Sequence, residues 1–401
     1  MKSKKVLYNL IAIQILFWFG WQFATYQIVY FQSVGMTTSE IGIMSAACAI
    51  VSMIASILWG WLADRMNSIK KAFILNLIIS IMFVVAIPLL PTHFKYASVI
   101  FIIYRALSCF GQGPLGTLID NHAVRNCEEF GLNFGILSAF RCISGALGGL
   151  LCTAVLAKID LKYAFWIFGL FMIPTLVSIF LSNDPKSTVN EREHKSKADG
   201  GALKLIFGNR HFMVFIIFTV LFNFAHQAVT IFIPSFMTDI NIDSSNWGLY
   251  SSVRLFASIP VMLMFGWIRK RMKLKTILIL ACIFMGVESL MIGLLARDLW
   301  MLLLSGAIYG LGSGLIVGAV PLYIYKLAPD NLKASAHNIY GAVYLGAGVV
   351  GNLCGGMAYD AMGGFSFYVL LGSIMLMSVL FFIVSSAFER NYKIRHDSDA
   401  A

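Results

Sequence analysis

Several ionisable side chains of this chain fall inside long apolar runs or close them. Arg105 lies in the fourth run and Asp120 closes it. Arg141 lies in the fifth, His226 in the seventh, Arg254 in the eighth and Glu288 in the ninth. Such groups are costly in apolar surroundings, so each is held by a partner or by a task. A guanidinium forks onto carboxylate oxygens, and an imidazole changes charge near neutrality. A carboxyl beside an arginine stays ionised, and one left alone in an apolar place takes a proton. These are groups for gripping a polar solute and for carrying a proton. Asn223 and Gln227 flank His226. The first run adds Gln14, Trp18, Trp21, Gln22, Tyr26 and Gln27, a mixed aromatic and amide face. Such a face stacks on uncharged polar rings and hydrogen-bonds to them.

Each residue admits two roles. Asp120 and Arg141 hold an inner gate or touch the solute. Arg254 and Glu288 lie about 9 Å and 12 Å inside the outer ends of their spans at 1.5 Å per residue, so they could meet. The pair is then structural, or Glu288 is a proton carrier with His226 as the runner-up. His226 could equally be a hydrogen-bonded core histidine. The solute-binding candidates are Trp18, Gln22, Tyr26, Arg105, Asp120, Asn223, His226 and Gln227. The proton-coupling candidates are Glu288, Arg254 and His226, and the gating candidates Gly60, Asp64, Arg65 and Arg141. No nucleophile, base and orienter can be assembled, no G-x-x-x-x-G-K-(S/T) occurs, and the seven cysteines form no C-x-x-C. An enzyme, an ATP-driven pump, a bound cofactor and a metal site are therefore not expected.

The elements that must position these groups are membrane spans. The chain is 59% hydrophobic and 12% charged, against about 25% charged for soluble domains. A span needs about 20 apolar residues. Twelve runs qualify, at roughly 8–31, 39–60, 71–91, 97–119, 132–156, 163–182, 211–234, 248–268, 276–295, 300–325, 336–359 and 365–387. The polar stretch 183–210 divides two six-span bundles, 1–182 and 211–401, the second ending in a short tail. With the N-terminus inside, 23 Lys and Arg fall on inner connections and four on outer ones, which sets both termini in the cytoplasm. The net charge of +11 is scattered between apolar runs and forms no face for nucleic acid. Trp59, Trp61 and Trp300 read as interface anchors. The Gly-rich pieces 145–149 and 346–356 read as close helix contacts.

Between the second and third runs lies Gly60-Trp61-Leu62-Ala63-Asp64-Arg65-Met66-Asn67-Ser68-Ile69-Lys70-Lys71. A degraded copy, Gly266-Trp267-Ile268-Arg269-Lys270-Arg271-Met272-Lys273, follows the eighth run. Gly111-Gln112-Gly113 in the fourth run is echoed by Gly312-Ser313-Gly314 in the tenth. These echoes signal a duplicated membrane protein with two repeats of the same orientation. The first copy resembles the G-x-L-x-D-R-x-G-x-(R/K) signature of the major facilitator superfamily, with Asn67 in place of its glycine. Asn tolerates left-handed backbone, so a tight turn survives. The resemblance implies an all-α membrane fold of twelve helices with a cavity between the halves. It also implies that Asp64 and Arg65 form a conformational latch.

Leu118-Ile119-Asp120 with Phe134-Gly135, and Ile308-Tyr309-Gly310-Leu311 with Leu332-Lys333-Ala334-Ser335-Ala336, are similar to the lactose-permease-like branch of proton symporters. That resemblance implies that Asp120 binds solute hydroxyls. It also shows departures. The branch's fifth-span arginine falls at Ser138, one turn before Arg141, and its tenth-span histidine and glutamate are missing. The antiporter signature G-P-x-x-G-G is absent as well. The expectation is a monomeric secondary transporter in the cytoplasmic membrane. It moves a small polar solute, a sugar, oligosaccharide or nucleoside, by proton symport. Efflux of amphipathic drugs or metabolites, or a non-transporting sensor, are the alternatives.

Overall fold

In hydrocarbon, a backbone must satisfy its own hydrogen bonds, which makes helices of the apolar runs. The computed structural model describes residues 2–92, 96–132, 134–184, 208–328 and 332–399, with side chains for all but 2, 3, 334 and 386–399. Most of the expected 183–210 linker lies outside the described residues. The first half contains α1 (Lys2–Ala24), α2 (Gln27–Ser33), α3 (Thr38–Arg65), α4 (Ile69–Val85), α5 (Ala97–Phe130), α6 (Phe134–Leu156) and α7 (Tyr163–Leu181). The second half contains α8 (Arg210–Ile231), α9 (Ile233–Asp239), α10 (Trp247–Arg271), α11 (Leu274–Leu295), α12 (Leu299–Leu327) and α13 (Lys333–Asp399).

Among the described residues, 11 helices are long and apolar enough to cross a membrane. One of these stretches, Ser335–Ser385, runs 51 residues and holds the last two spans. They meet at Gly363, where φ is 76° and ψ 161°. Only glycine enters that backbone region readily, so the expected eleventh and twelfth spans are joined without a loop.

Four expectations need correction. The first span breaks at Thr25-Tyr26 into α1 and α2, and the seventh breaks at Phe232 ahead of Pro234 into α8 and α9. The fourth span does not end at Asp120. Its helix continues to Phe130 and stops at Gly131, whose φ is 62°. Hydropathy ended that span early because the last turns carry charges; hydrogen bonding continues through them. Trp59 is no interface anchor: it is 2% exposed, and its Nε1–H donates to the Phe110 carbonyl at 2.9 Å. Trp61 and Trp300 are exposed, as anchors must be.

Within the first half, α1 packs on α6 and α7, α3 on α5, and α4 on α5 and α7. In the second half, α8 packs on α13, α10 on α12, and α11 on α12 and α13. The two halves meet along α3 with α13 and α6 with α10. Glycines allow that approach. A methyl on Gly149 would strike the Gly248 carbonyl, and one on Gly42 would strike the Asn352 carbonyl and Gly356. Gly346, by contrast, has open space around it.

The hinge 60–71 closes tightly. Asn67 sits at φ 48°, and Ser68 caps α4 by accepting from the Lys71 N–H at 3.0 Å. The Lys70 ammonium donates to the Phe180 and Ser182 carbonyls at 2.7 and 2.6 Å. A cation there suits the carbonyl end of α7.

Candidate functional site

Between the halves lies a cavity of about 610 Å³. Trp18, Trp21 and Gln22 of α1, Asp120 of α5 and Ser138 and Arg141 of α6 form one side. Ser251, Arg254, Ser258 and Met262 of α10 and Tyr309 and Ser313 of α12 form the other. The walls mix ring faces, hydroxyls and one amide with charged groups.

One charged cluster belongs to the first half. Arg141 Nη1 donates to both Asp120 oxygens, at 3.0 and 2.9 Å. Its guanidinium carbon lies 4.4 Å from the centroid of the Trp18 ring. Trp18 is itself held by its Nε1–H, which donates to Gln14 Oε1 at 2.9 Å. Both charged side chains are 38% exposed, so the pair faces open space.

The second cluster belongs to the other half. Arg254 Nη2 lies 3.7 Å from Glu288 Oε1, with side chains 9% and 0% exposed. The Tyr250 hydroxyl donates to the same Glu288 oxygen at 2.6 Å. The guanidinium of Arg254 lies 3.4 Å from the centroid of the Tyr309 ring, and that ring stacks on His226 at 5.7 Å and 3°. His226 Nε2 and the Tyr309 hydroxyl are 3.3 Å apart and share a hydrogen bond. Glu288, Tyr250, Arg254, Tyr309 and His226 therefore form one buried cluster. Arg254 and Tyr309 reach the cavity, and Glu288 stands behind them.

The hydrogen bonds between the halves gather at one end, the end opposite the basic hinges 60–71 and 266–275. There the Tyr26 hydroxyl donates to the Ser245 carbonyl at 2.7 Å and accepts from the Gly248 N–H at 2.8 Å. Trp247 Nε1–H donates to Thr25 Oγ1 at 3.0 Å, and the Ser252 hydroxyl to the Ala146 carbonyl at 2.7 Å. Gln32 pairs with Ser235. Asp360 accepts from the Ser39 N–H at 2.8 Å and from the Thr38 and Ser39 hydroxyls, so a carboxylate sits on the N-terminus of α3. This end is closed. The cavity opens toward the basic end, where Phe134, Asp120 and Arg141 line it.

Not every candidate lines the cavity. Tyr26 belongs to the closed end and not to a solute-binding wall. Arg105 is turned into the first half, where it donates to Ser108 Oγ at 2.9 Å and Cys109 Sγ at 2.7 Å. Gln227 packs on Gly348. Gln27 is buried against Gln112 at 3.1 Å. Asn223 and His226 border a smaller space inside the second half. Gly60 has nothing within 4 Å of where a Cβ would stand, Asp64 is exposed, and Arg65 lies 5.2 Å from the Trp61 ring centroid. Tyr250 and Ser251 were not singled out by sequence, and Tyr309 only as part of the motif 308–311, though each sits one turn from a charged group or from another wall residue.

A family model described as the MFS_1 like family matches residues 10–370. The staphyloferrin B transporter of Staphylococcus aureus is 24% identical over 364 residues, covering 86% of this chain and 82% of that protein. The maltose permease of Geobacillus stearothermophilus is 21% identical over 393 residues, covering 97% and 96%. The solved structure of the nucleoside transporter NupG superposes with a TM-score of 0.77 at 14% identity, over 96% of this chain and 99% of that one.

Proposed function

The chain belongs to the MFS_1 like family and is a multi-pass secondary transporter of the major facilitator type, not an enzyme, and we propose that it imports a small, uncharged polar ring solute by proton symport. The observation that supports this is the cavity itself. It lies between two halves, is sealed at one end and open at the other, and is walled by Trp18, Trp21, Gln22, Ser138, Ser251 and Ser258. Its charges are balanced, Arg141 by Asp120 and Arg254 by Glu288, which suits a solute without net charge. The likeness to a maltose permease and to a nucleoside transporter agrees with that class.

Alternating access follows from the two ends. The closed end is held by hydrogen bonds and glycine contacts that a rocking of the halves would break together. In the proposed orientation the open end faces the cytoplasm, as the 23-to-four Lys and Arg bias requires. Single cysteines at Asp298 and Asp360 should react with an impermeant thiol reagent from outside, and one at Asn67 should not. Labelling at Asn67 in sealed cells would reverse the topology.

Glu288 is the proposed proton carrier. It lies behind Arg254, and a solute that engages Arg254 draws the counter-charge from a carboxyl buried in an apolar shell. A carboxyl so deprived takes a proton. The test is Glu288→Gln in proteoliposomes. Exchange of solute should persist while uphill, proton-driven uptake disappears. If the variant still accumulates solute against a gradient, Glu288 is structural.

A second reading is favoured by one observation. Arg254 Nε and Nη2 have no hydrogen-bond acceptor among the described residues, although the side chain reaches the cavity. A carboxylate-bearing metabolite would supply one. Competition of counterflow by simple tricarboxylates would decide for it.

A further inference from the structure

Beside the main cavity, inside the second half, lies a separate space of about 190 Å³. One face of α8 forms its wall. Phe215, Thr219, Phe222, Asn223 and His226 recur along that helix at spacings of three and four residues, which places them on one stripe. Tyr340 of α13 stands opposite, stacked on Phe215 at 5.7 Å and 8°. Phe222 stacks on His226 at 5.8 Å and 18°. The pocket is therefore lined largely by aromatic side chains.

Two observations indicate that this pocket takes a ligand. Tyr309, Ser313 and Val317 of α12 line both this pocket and the main cavity, so the two adjoin. His226 is 8% exposed, lines the pocket, and its Nδ1 has no hydrogen-bond partner among the described residues. Asn223, 5% exposed, donates to the Thr219 carbonyl at 2.9 Å and lies one turn from His226. A buried polar atom without a partner is costly. A planar ring with donors and acceptors on its edge would relieve it while stacking on the walls.

We propose that this side pocket is a binding subsite for a planar aromatic ring of the solute, with His226 and Asn223 reading its polar edge while the polar remainder stays in the main cavity. This rests on the reading of an uncharged polar ring solute and narrows it to compounds that carry an aromatic ring on a sugar-like body. Plain sugars fill only the main cavity.

The experiment is calorimetric titration of the purified full chain with two matched pairs, uridine against ribose and phenyl glucoside against methyl glucoside. The ring-bearing member of at least one pair should bind roughly tenfold more tightly, which is about 1.4 kcal/mol. Cys282→Phe fills the pocket from α11, where Cys282 is 1% exposed, and should erase the preference. Tyr340→Leu removes a wall without filling the space and should reduce the preference, which keeps the test open if the filled variant fails to fold. Equal affinity within both pairs overturns the subsite and leaves the proposed function standing. A preference that survives both variants places the ring elsewhere and also overturns it. A wild-type chain that binds none of the four overturns the reading of an uncharged ring solute, and the subsite with it.

Discussion

Two ion pairs beside the cavity are near mirror images in position and opposites in environment. Arg141 stands about two turns from the basic end of α6, and Arg254 about two turns from the far end of α10. In the first pair one guanidinium nitrogen reaches both carboxylate oxygens, and each side chain is 38% exposed. The second is 3.7 Å apart with side chains 9% and 0% exposed. Exposed pairs contribute about 0–1 kcal/mol to stability. Buried pairs are costly to break, because the surviving partner is left as an uncompensated charge. The open pair can therefore be exchanged for other partners at little cost, and the buried pair cannot. Ring faces serve both. Trp18 covers Arg141 at 4.4 Å and Tyr309 covers Arg254 at 3.4 Å, and such contacts are worth about 0.5–1 kcal/mol exposed and about 2 or more when desolvated.

The sharpest way to break this contrast is to remove one charge from the buried pair. Glu288→Leu should lower stability by about 3–5 kcal/mol, seen as a fall in the thermal unfolding temperature of purified protein. Adding Arg254→Met should recover most of that loss. A single variant as stable as wild type would show that Arg254 finds another counter-charge, and the contrast would fail.

The open pair should respond in binding and not in stability. Asp120→Asn should weaken binding of the transported solute roughly tenfold, the worth of one hydrogen bond to a charged group, with the unfolding temperature nearly unchanged. Unchanged affinity would make Asp120 a gate residue.

Smaller effects are expected at the ends of the molecule. Asp360→Asn removes a charge from the N-terminus of α3, worth about 0.3–1 kcal/mol and up to about 2 when partly buried. The closed end should loosen by a few fold, read as faster thiol labelling of a Ser245→Cys probe from that side. No change in labelling would show that the closed end holds without the Asp360 carboxylate. The smallest effect belongs to Asp64→Asn at the open end. Turnover should slow by a few fold with affinity preserved, since a latch rebalances two states without touching solute. A large loss of affinity there would refute the latch.

The sequence by itself determined the elements. Span length is set by bilayer thickness, so apolar runs mark the helices, including the last two, which no loop separates. Asn67 was legible as a left-handed turn because that preference is a property of one residue and its backbone. The stripe Phe215, Phe222 and His226 was also written in the spacing of α8, though not what it faces. Tertiary packing decided the rest. Rotation of each helix about its axis turned Gln22 and Arg141 into the cavity, but Arg105 and Gln227 away from it. Hydropathy is blind to that rotation when all sides of a helix are apolar. Packing also brought Asp120 to Arg141 and Glu288 to Arg254, since contacts between helices depend on crossing and register. Which end is shut was decided at Tyr26, Gly149, Gly248 and Asp360. A transporter sequence must encode both the shut and the open arrangement, so only a structure shows which one is occupied.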